Sequence, residues 1–420
     1  MAPKPSVLRS IFSGRMLVQL TTGFSSGLPL LLTGSTLQAW LKDERVDLGA
    51  IGLFTLVGIP YTLKFLWSPL LDRYVPPFLG RRRGWMLVIQ AALAVAIAVL
   101  GFSNPGASPA VVALLAVGVT FTSASQDIVL DAYRRESLEE AELGLGTSVF
   151  VSGYRLAMLV SGALALALAD LIPWRAVYFL MAAFMAVGVA TTLLCREPVI
   201  DAPPPRDLRE AVVEPFVDFF RRRGAWLILA FIVLYKIGDQ MASAMTTPIV
   251  LELGFTKTEL AAVVKLFGLA SMIVGGLVGG IVMLKLGIRR SLWAFGILQA
   301  LSVLPFAALA QAGKVHGMLA GAVTLENFSF GMGASAYSAY MASQTNKRFT
   351  ATQFALFSSL TGIPRVLASA PTGFLAKGLG WTGFFVFCAV SAIPGLLLLF
   401  WVAPWRDPAP APRNGPPSLP

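Results

Sequence analysis

The chain has 420 residues, 56% of them hydrophobic and only 13% charged, with a mean hydropathy of +0.73. A soluble domain carries about 25% charged residues, so composition excludes a soluble fold. The formal net charge of +11 would suit a nucleic-acid partner only if it formed a face, and its distribution along the chain excludes that.

Apolar runs of roughly 20 residues recur from end to end, each long enough to cross a bilayer core of about 30 Å. They are continuous and lack alternation with period two, which excludes a β-barrel. The expectation is an all-α integral membrane protein. Residues 6–15 read as a short amphipathic surface helix, without the small-residue cleavage site of a secretory leader. Twelve candidate spans follow, at roughly 16–41, 48–71, 84–102, 110–133, 146–169, 174–194, 225–250, 258–284, 290–311, 315–343, 350–376 and 381–403. A polar linker, 195–224, separates the sixth from the seventh, and a Pro-rich tail, 404–420, is expected to be disordered. The domain reading is therefore two six-helix bundles, 1–194 and 225–403, joined by that linker.

Lys and Arg in the loops set orientation. With both termini cytoplasmic, that side collects about 22 of them and the other side about six. The basic excess is thus a topology signal. Two pseudo-equivalent halves are also visible in the sequence. Tyr154-Arg155 with Gly162 and Trp174 in one half matches Pro364-Arg365 with Gly373 and Trp381 in the other, half a chain length on. Such repeats mark transporters in which one half rocks against the other.

Charges inside the spans are costly, roughly 2.5–3.5 kcal/mol each on the most lenient scale. Lys64, Arg155, Lys236, Lys265, Arg365, Asp127, Asp239 and Glu326 all fall there, so they must face one another, water or a ligand. Asp127 and Arg155 are expected at one depth, and Lys236 and Asp239, three apart, can pair within their own helix. Asp127 and Asp131 share a helix face; depth assigns the first to the interior and the second to the cytoplasmic end beside Arg134. Cys195 and Cys388 read as packing residues, and with one histidine, His316, no metal site is expected. No HExxH, G-x-S-x-G or Walker A motif is present, so neither an enzyme nor an ATP-driven pump is supported, and no cofactor is expected. Ion coupling remains as the energy source.

The loop Asp72-Arg73-Tyr74 with Gly80-Arg81-Arg82-Arg83 resembles the cytoplasmic motif between the second and third helices of the major facilitator superfamily, a charge latch at helix ends. Further segments go beyond that. Phe24–Pro29, Thr36–Trp40, Lys64–Pro69, Gly80–Trp85, Ser123–Asp127, Gly153–Arg155, Leu234–Asp239 and Ala351–Leu356 together resemble the AmpG family of muropeptide permeases. The resemblance implies a major facilitator fold in the inner membrane of a Gram-negative bacterium. It also implies import of N-acetylglucosaminyl-1,6-anhydro-N-acetylmuramic acid, with or without a stem peptide, for cell-wall recycling, with a link to β-lactamase induction. The family is regarded as driven by the proton gradient. Some members carry extra helices after the twelfth, whereas this sequence ends in the Pro-rich tail. The alternative is a permease of the same fold for another solute, such as an acyl-CoA or a drug.

Against that chemistry, Arg155, Arg365, Lys236 and Lys64 are expected on substrate anions, since arginine forks bind carboxylates bidentately. Gln38, Gln126 and Asn327 are expected on sugar or amide groups. Asp127, Asp239 and Glu326 are the expected proton carriers. Asp72, Arg73, Arg81, Arg82, Arg83, Asp131 and Arg134 are expected to form the cytoplasmic gate. A monomer in the lipid bilayer is expected, with protons and an anhydromuropeptide as its partners.

Overall fold

A computed structural model describes residues 12–199, 203–260, 263, 267–364 and 368–405. Arg365, Lys265 and most of the expected surface helix and tail lie outside these residues. Every regular element among the described residues is helical. The first six helical stretches are α1 (Gly14–Asp43), α2 (48–73), α3 (Arg81–Gly101), α4 (Pro109–Ser137), α5 (Leu143–Ala169) and α6 (Trp174–Leu194). A linker helix, α7 (Leu208–Phe220), precedes α8 (Ala225–Glu252). Then come α9 (268–286), α10 (288–312), α11 (His316–Ser343), α12 (Thr350–Leu360) and a final stretch, α13 (Thr372–Val402).

Among the described residues, eight stretches, with α9 and α10 taken as one, are long and apolar enough to cross a membrane. α2 is not among them because its winding is interrupted. Its 3-10 turns Phe54–Gly58 and Lys64–Leu66 alternate with short α-helical pieces. α9 and α10 meet at Gly287, whose φ of 76° a β-carbon would resist. A second reversal of this kind divides α13 at Gly380.

Packing explains the small residues of α1. A β-carbon on Gly23 would sit 2.1 Å from the carbonyl oxygen of Phe150, and one on Gly27 would sit 2.3 Å from that of Tyr154. α1 and α5 therefore cross with backbones nearly touching, the close approach that glycine permits between membrane helices. Gly275 and Gly331 do the same where α9 crosses α11. The first six helices enclose an apolar core around Leu93, Ile97 and Tyr178, and the later ones enclose another around Phe306, Phe384 and Phe385. The two sets of helices meet along two seams, α5 on α9 and α11, and α2 with α4 on α12. At the first seam Gly280 faces Ser148, and at the second Ala351 and Ala355 join a core with Leu71, Met86 and Tyr133.

Candidate functional site

The C-terminal end of α2 places Asp72 in a fully buried position. Its Oδ1 accepts from Arg81 at 3.0 Å and Arg82 at 2.9 Å. Its Oδ2 accepts from the backbone N–H and the hydroxyl of Thr352, at 2.9 and 2.8 Å. Thr352 lies in the first turn of α12, whose free N–H groups need acceptors. Asp72 thus supplies a cap from the opposite half. Arg82 is also fully buried and reaches Glu136 at the end of α4 through two hydrogen bonds, at 2.7 and 2.6 Å. Arg81 adds a bond to the carbonyl of Arg348. Glu197 accepts from the backbone N–H groups of Arg82 and Arg83, at 2.7 and 2.9 Å, and so holds the N-terminus of α3.

This clasp assembles Asp72, Arg81 and Arg82 of the residues singled out in sequence. Arg83 instead donates to the carbonyls of Thr192 and Leu193, and Arg73 lies over the ring of Tyr74. Glu136, Glu197 and Thr352 were not anticipated. Glu136 and Glu197 were legible only as acids at span ends. Thr352 lies in the Ala351–Leu356 segment that carries the resemblance, but its role was hidden because its partner is far away in the chain.

The linker helix reinforces the clasp. Asp207 caps α7 by accepting from the N–H of Glu210 at 2.6 Å. Glu210 pairs with Arg348, and Asp218 accepts from Gln353 at 2.9 Å and Asn346 at 3.1 Å. Arg222 reaches Asp218 at 2.6 Å. Burial works against ionisation of Asp218. The hydrogen bonds from Gln353, Arg222 and Asn346 outweigh it and hold the carboxyl below its usual range.

A cavity of about 460 Å³ begins near Gln38, Phe54 and Tyr61 and ends at Lys64, Asp127 and Ser358. Lys64 precedes Asp72 by roughly 12 Å of helix, so the cavity floor stands above the clasp, on the side away from it. Asp127 accepts a 2.5 Å hydrogen bond from Ser26, and Tyr61 donates to Ser123 at 2.9 Å. Lys64 lies 3.8 Å from Asp131, whose other oxygen accepts from Arg134 at 2.7 Å. Arg134 is buried with its guanidinium over the rings of Phe150 and Phe354.

Three placements bear on the residues singled out in sequence. Lys64, grouped with the substrate cations, is ion-paired to Asp131, grouped with the gate, so the two sets meet. Asp127 and Arg155 form no ion pair among the described residues; Arg155 donates to Met158 Sδ at 3.4 Å. Equal depth does not bring two side chains onto facing sides of their helices. Gln126 is fully buried against Ser25, at 3.5 Å, and does not line the cavity. It sits one residue, and so about 100° of helix turn, from Asp127.

A second polar cluster lies in the later helices. Lys236 pairs with Asp239 at 3.5 Å, as their spacing permits, and its ammonium stands 4.5 Å from the centre of the Phe330 ring. Gln299 of α10 joins both, accepting from Lys236 at 3.3 Å and donating to Asp239 at 2.9 Å. Buried Glu326 accepts from Asn327 at 3.0 Å, so the Asn327 amide is engaged within α11. Gln299 was the residue missed. Among the described residues no group of three or more His, Cys, Asp or Glu is placed to hold a metal ion.

Residues 16–369 match the family model of the Major Facilitator Superfamily. A curated relative, the Anhydromuropeptide permease of Escherichia coli strain K12, is 48% identical over 93% of this chain and 80% of its own. The chain belongs to the AmpG family of the major facilitator superfamily. A Putative transporter AmpG 4 of Rickettsia felis is 34% identical, covering 90% of this chain and 94% of its own. The AmpG-family fold extends to distant transporters. The structure of FucP in the outward conformation aligns with a TM-score of 0.72 at 10% identity, over 94% of this chain and 99% of that one. The proton:xylose symporter XylE aligns with a TM-score of 0.68 at 10% identity, over 92% and 94%. An AmpG-family chain is a transporter and not an enzyme, and the clasp and cavity are to be read in those terms.

Proposed function

We propose that this protein imports N-acetylglucosaminyl-1,6-anhydro-N-acetylmuramic acid and its peptides across a bacterial inner membrane for peptidoglycan recycling. The cavity that ends on Lys64 and Asp127 above a closed clasp carries this reading, together with 48% identity to a permease named for the anhydromuropeptide. A volume of about 460 Å³ falls within the range of small-molecule sites. The wall is largely polar, with Thr33, Gln38, Tyr61, Lys64 and Asp127 beside Leu30 and Phe54, which suits a solute bearing hydroxyls, acetamides and carboxylates.

In this reading twelve crossings form two six-helix halves, with both termini and the clasp cytoplasmic. The cavity then faces the periplasm. Substrate enters it, the two seams rock, the clasp between Asp72 and Thr352 opens, and substrate leaves inward. The chain works as a monomer. Protons drive the cycle through Asp127, with Asp239 and Glu326 as a second station. Lys64, Lys236, Arg155 and Arg365 answer the substrate's anionic groups, and Gln38 answers its hydroxyls or amides. The Ser26 hydroxyl, which donates to Asp127 at 2.5 Å, keeps that carboxylate aimed from α4 across to α1.

Uptake of labelled anhydromuropeptide by cells lacking their own permease tests this directly. Expression of the protein should restore accumulation, and a protonophore should abolish it. Accumulation of a different solute with no anhydromuropeptide uptake would assign the fold another cargo.

A further inference from the structure

Lys64 belongs to both the cavity and the seal beneath it. It is 6% exposed, lines the cavity floor, and starts the second 3-10 turn of α2. Departures of this kind from regular winding inside a helix often mark hinges. Its ammonium stands 3.8 Å from Asp131, an ion pair too long for a hydrogen bond. Arg134, by contrast, is hydrogen-bonded to the same carboxylate at 2.7 Å. Asp131 is thus shared between a tightly held arginine and a loosely held lysine.

The arginine leads across the molecule. Its guanidinium stands 4.4 Å from the ring centre of Phe150 and 5.6 Å from that of Phe354. Phe354 is two residues beyond Thr352, the residue that Asp72 caps. Asp127 lies one turn of α4 from Asp131, on the same face and at the cavity wall. A lysine is a compact charge on a flexible stem, so the Lys64 ammonium can turn from one carboxylate toward the other.

We propose that Lys64 reports occupancy of the cavity to the seal. With the cavity empty, Asp131 holds the ammonium. An anionic group of the substrate draws it toward Asp127 and the cavity. Asp131 is then left to Arg134 alone, whose guanidinium settles onto the carboxylate and off Phe354. The contact between α4 and α12 loosens, and the clasp loses a support. The inference rests on the reading that the cavity receives an anionic solute, but its core claim concerns the empty protein.

The test uses spin labels at Tyr74 and Lys347, on the clasp side of the two halves, in the full chain with Cys195 and Cys388 replaced by Ala and reconstituted in lipid nanodiscs. Distances are read without substrate. Lys64→Gln and Lys64→Met should each raise the long-distance, clasp-open population by about 5- to 10-fold over the parent. Asp131→Asn leaves Arg134 no carboxylate to settle onto, so it should stay near the parent distribution, and the double variant Lys64→Gln/Asp131→Asn should lose the Lys64→Gln effect. Lys64→Arg should return the parent distribution. Size-exclusion profiles identify any variant that fails to fold, and the remaining Lys64 variant then decides. If the neutral Lys64 variants lose uptake but keep the parent distances, Lys64 is a substrate ligand alone and the proposal is overturned. Full additivity of the two substitutions overturns it as well. Expected distances with no uptake of anhydromuropeptide would instead sink the proposed cargo and leave this inference standing.

Discussion

Asp72 accepts two hydrogen bonds from Thr352, one from its backbone and one from its hydroxyl, across the boundary between the two halves. One carboxylate oxygen serves the far half while the other serves Arg81 and Arg82 in its own. The closed clasp is therefore a helix cap supplied in trans. Hydrogen bonds to charged groups contribute about 1.5–3 kcal/mol each, so a single residue can bias the balance between closed and open.

Thr352→Val keeps the shape and the backbone bond but removes the hydroxyl donor. It should shift the balance toward the clasp-open form by roughly 1–2 kcal/mol. Thiol labelling of a cysteine placed at Ser358, beyond the clasp, should become faster from the cytoplasmic side. Unchanged labelling would mean that the backbone bond alone sustains the cap.

Glu136→Gln should be far more damaging than its position at a helix end suggests. Arg82 is fully buried and would keep only part of its charge compensation. Breaking a buried pair of this kind costs about 3–5 kcal/mol. The expected result is a lower melting temperature in detergent and a reduced yield of monodisperse protein, both relieved when Arg82 is replaced by Met in the same chain.

Asp127→Asn should uncouple uptake from the proton gradient. In proteoliposomes, exchange of labelled for unlabelled substrate should persist while accumulation against a gradient disappears. If accumulation survives with unchanged pH dependence, Asp127 is not the coupling carboxylate.

Gly280→Val should pry the α5–α9 seam. Even a β-carbon there would stand 2.6 Å from Ser148 Oγ and 3.2 Å from the α-carbon of Leu145. Overpacking commonly costs 1–3 kcal/mol. Uptake should fall more steeply than stability, since the strain falls on the seam that must slide. Pairing the change with Ser148→Ala should restore part of the uptake.

The docking of α7 should depend on pH with a definite sign. Asp218 has its folded pKa depressed, so its contribution is present above the unfolded value and is lost as pH falls through the folded one. Hydrogen exchange over Leu208–Phe220 should therefore speed up below the ordinary carboxylate range, after correction for intrinsic rates. Asp218→Asn should flatten that acid dependence.

Much of this could be read from residues alone, for physical reasons that differ between sites. Apolar length reveals helices because a bilayer demands it, and Asp72 with Arg81 and Arg82 stood out because an acid at a span end serves no topological need. Lys236 and Asp239 met because their spacing is local. The partners that complete each site are distant in sequence. Thr352, Glu136 and Gln299 are ordinary residues until the fold brings a charge to them. Asp127 and Arg155 were placed at one depth, which by itself does not settle whether they touch. Sequence gives depth along a helix, whereas contact also needs the angle around it, which only packing sets. Arg365 lies outside the described residues, so its half of the pseudo-repeat stays an expectation.

The contacts of the first turn of α12 have one more consequence. Asp72 grips Thr352 from one side, while α7 grips Asn346, Arg348 and Gln353 from the other. All four positions lie within about two turns' length of chain. Neither grip can yield without disordering the segment that the other needs. The face should therefore part all at once, and a half-open intermediate would forfeit both sets of bonds for no gain in access. A carrier in a membrane under a standing proton-motive force needs that property, because a partial opening would be a leak.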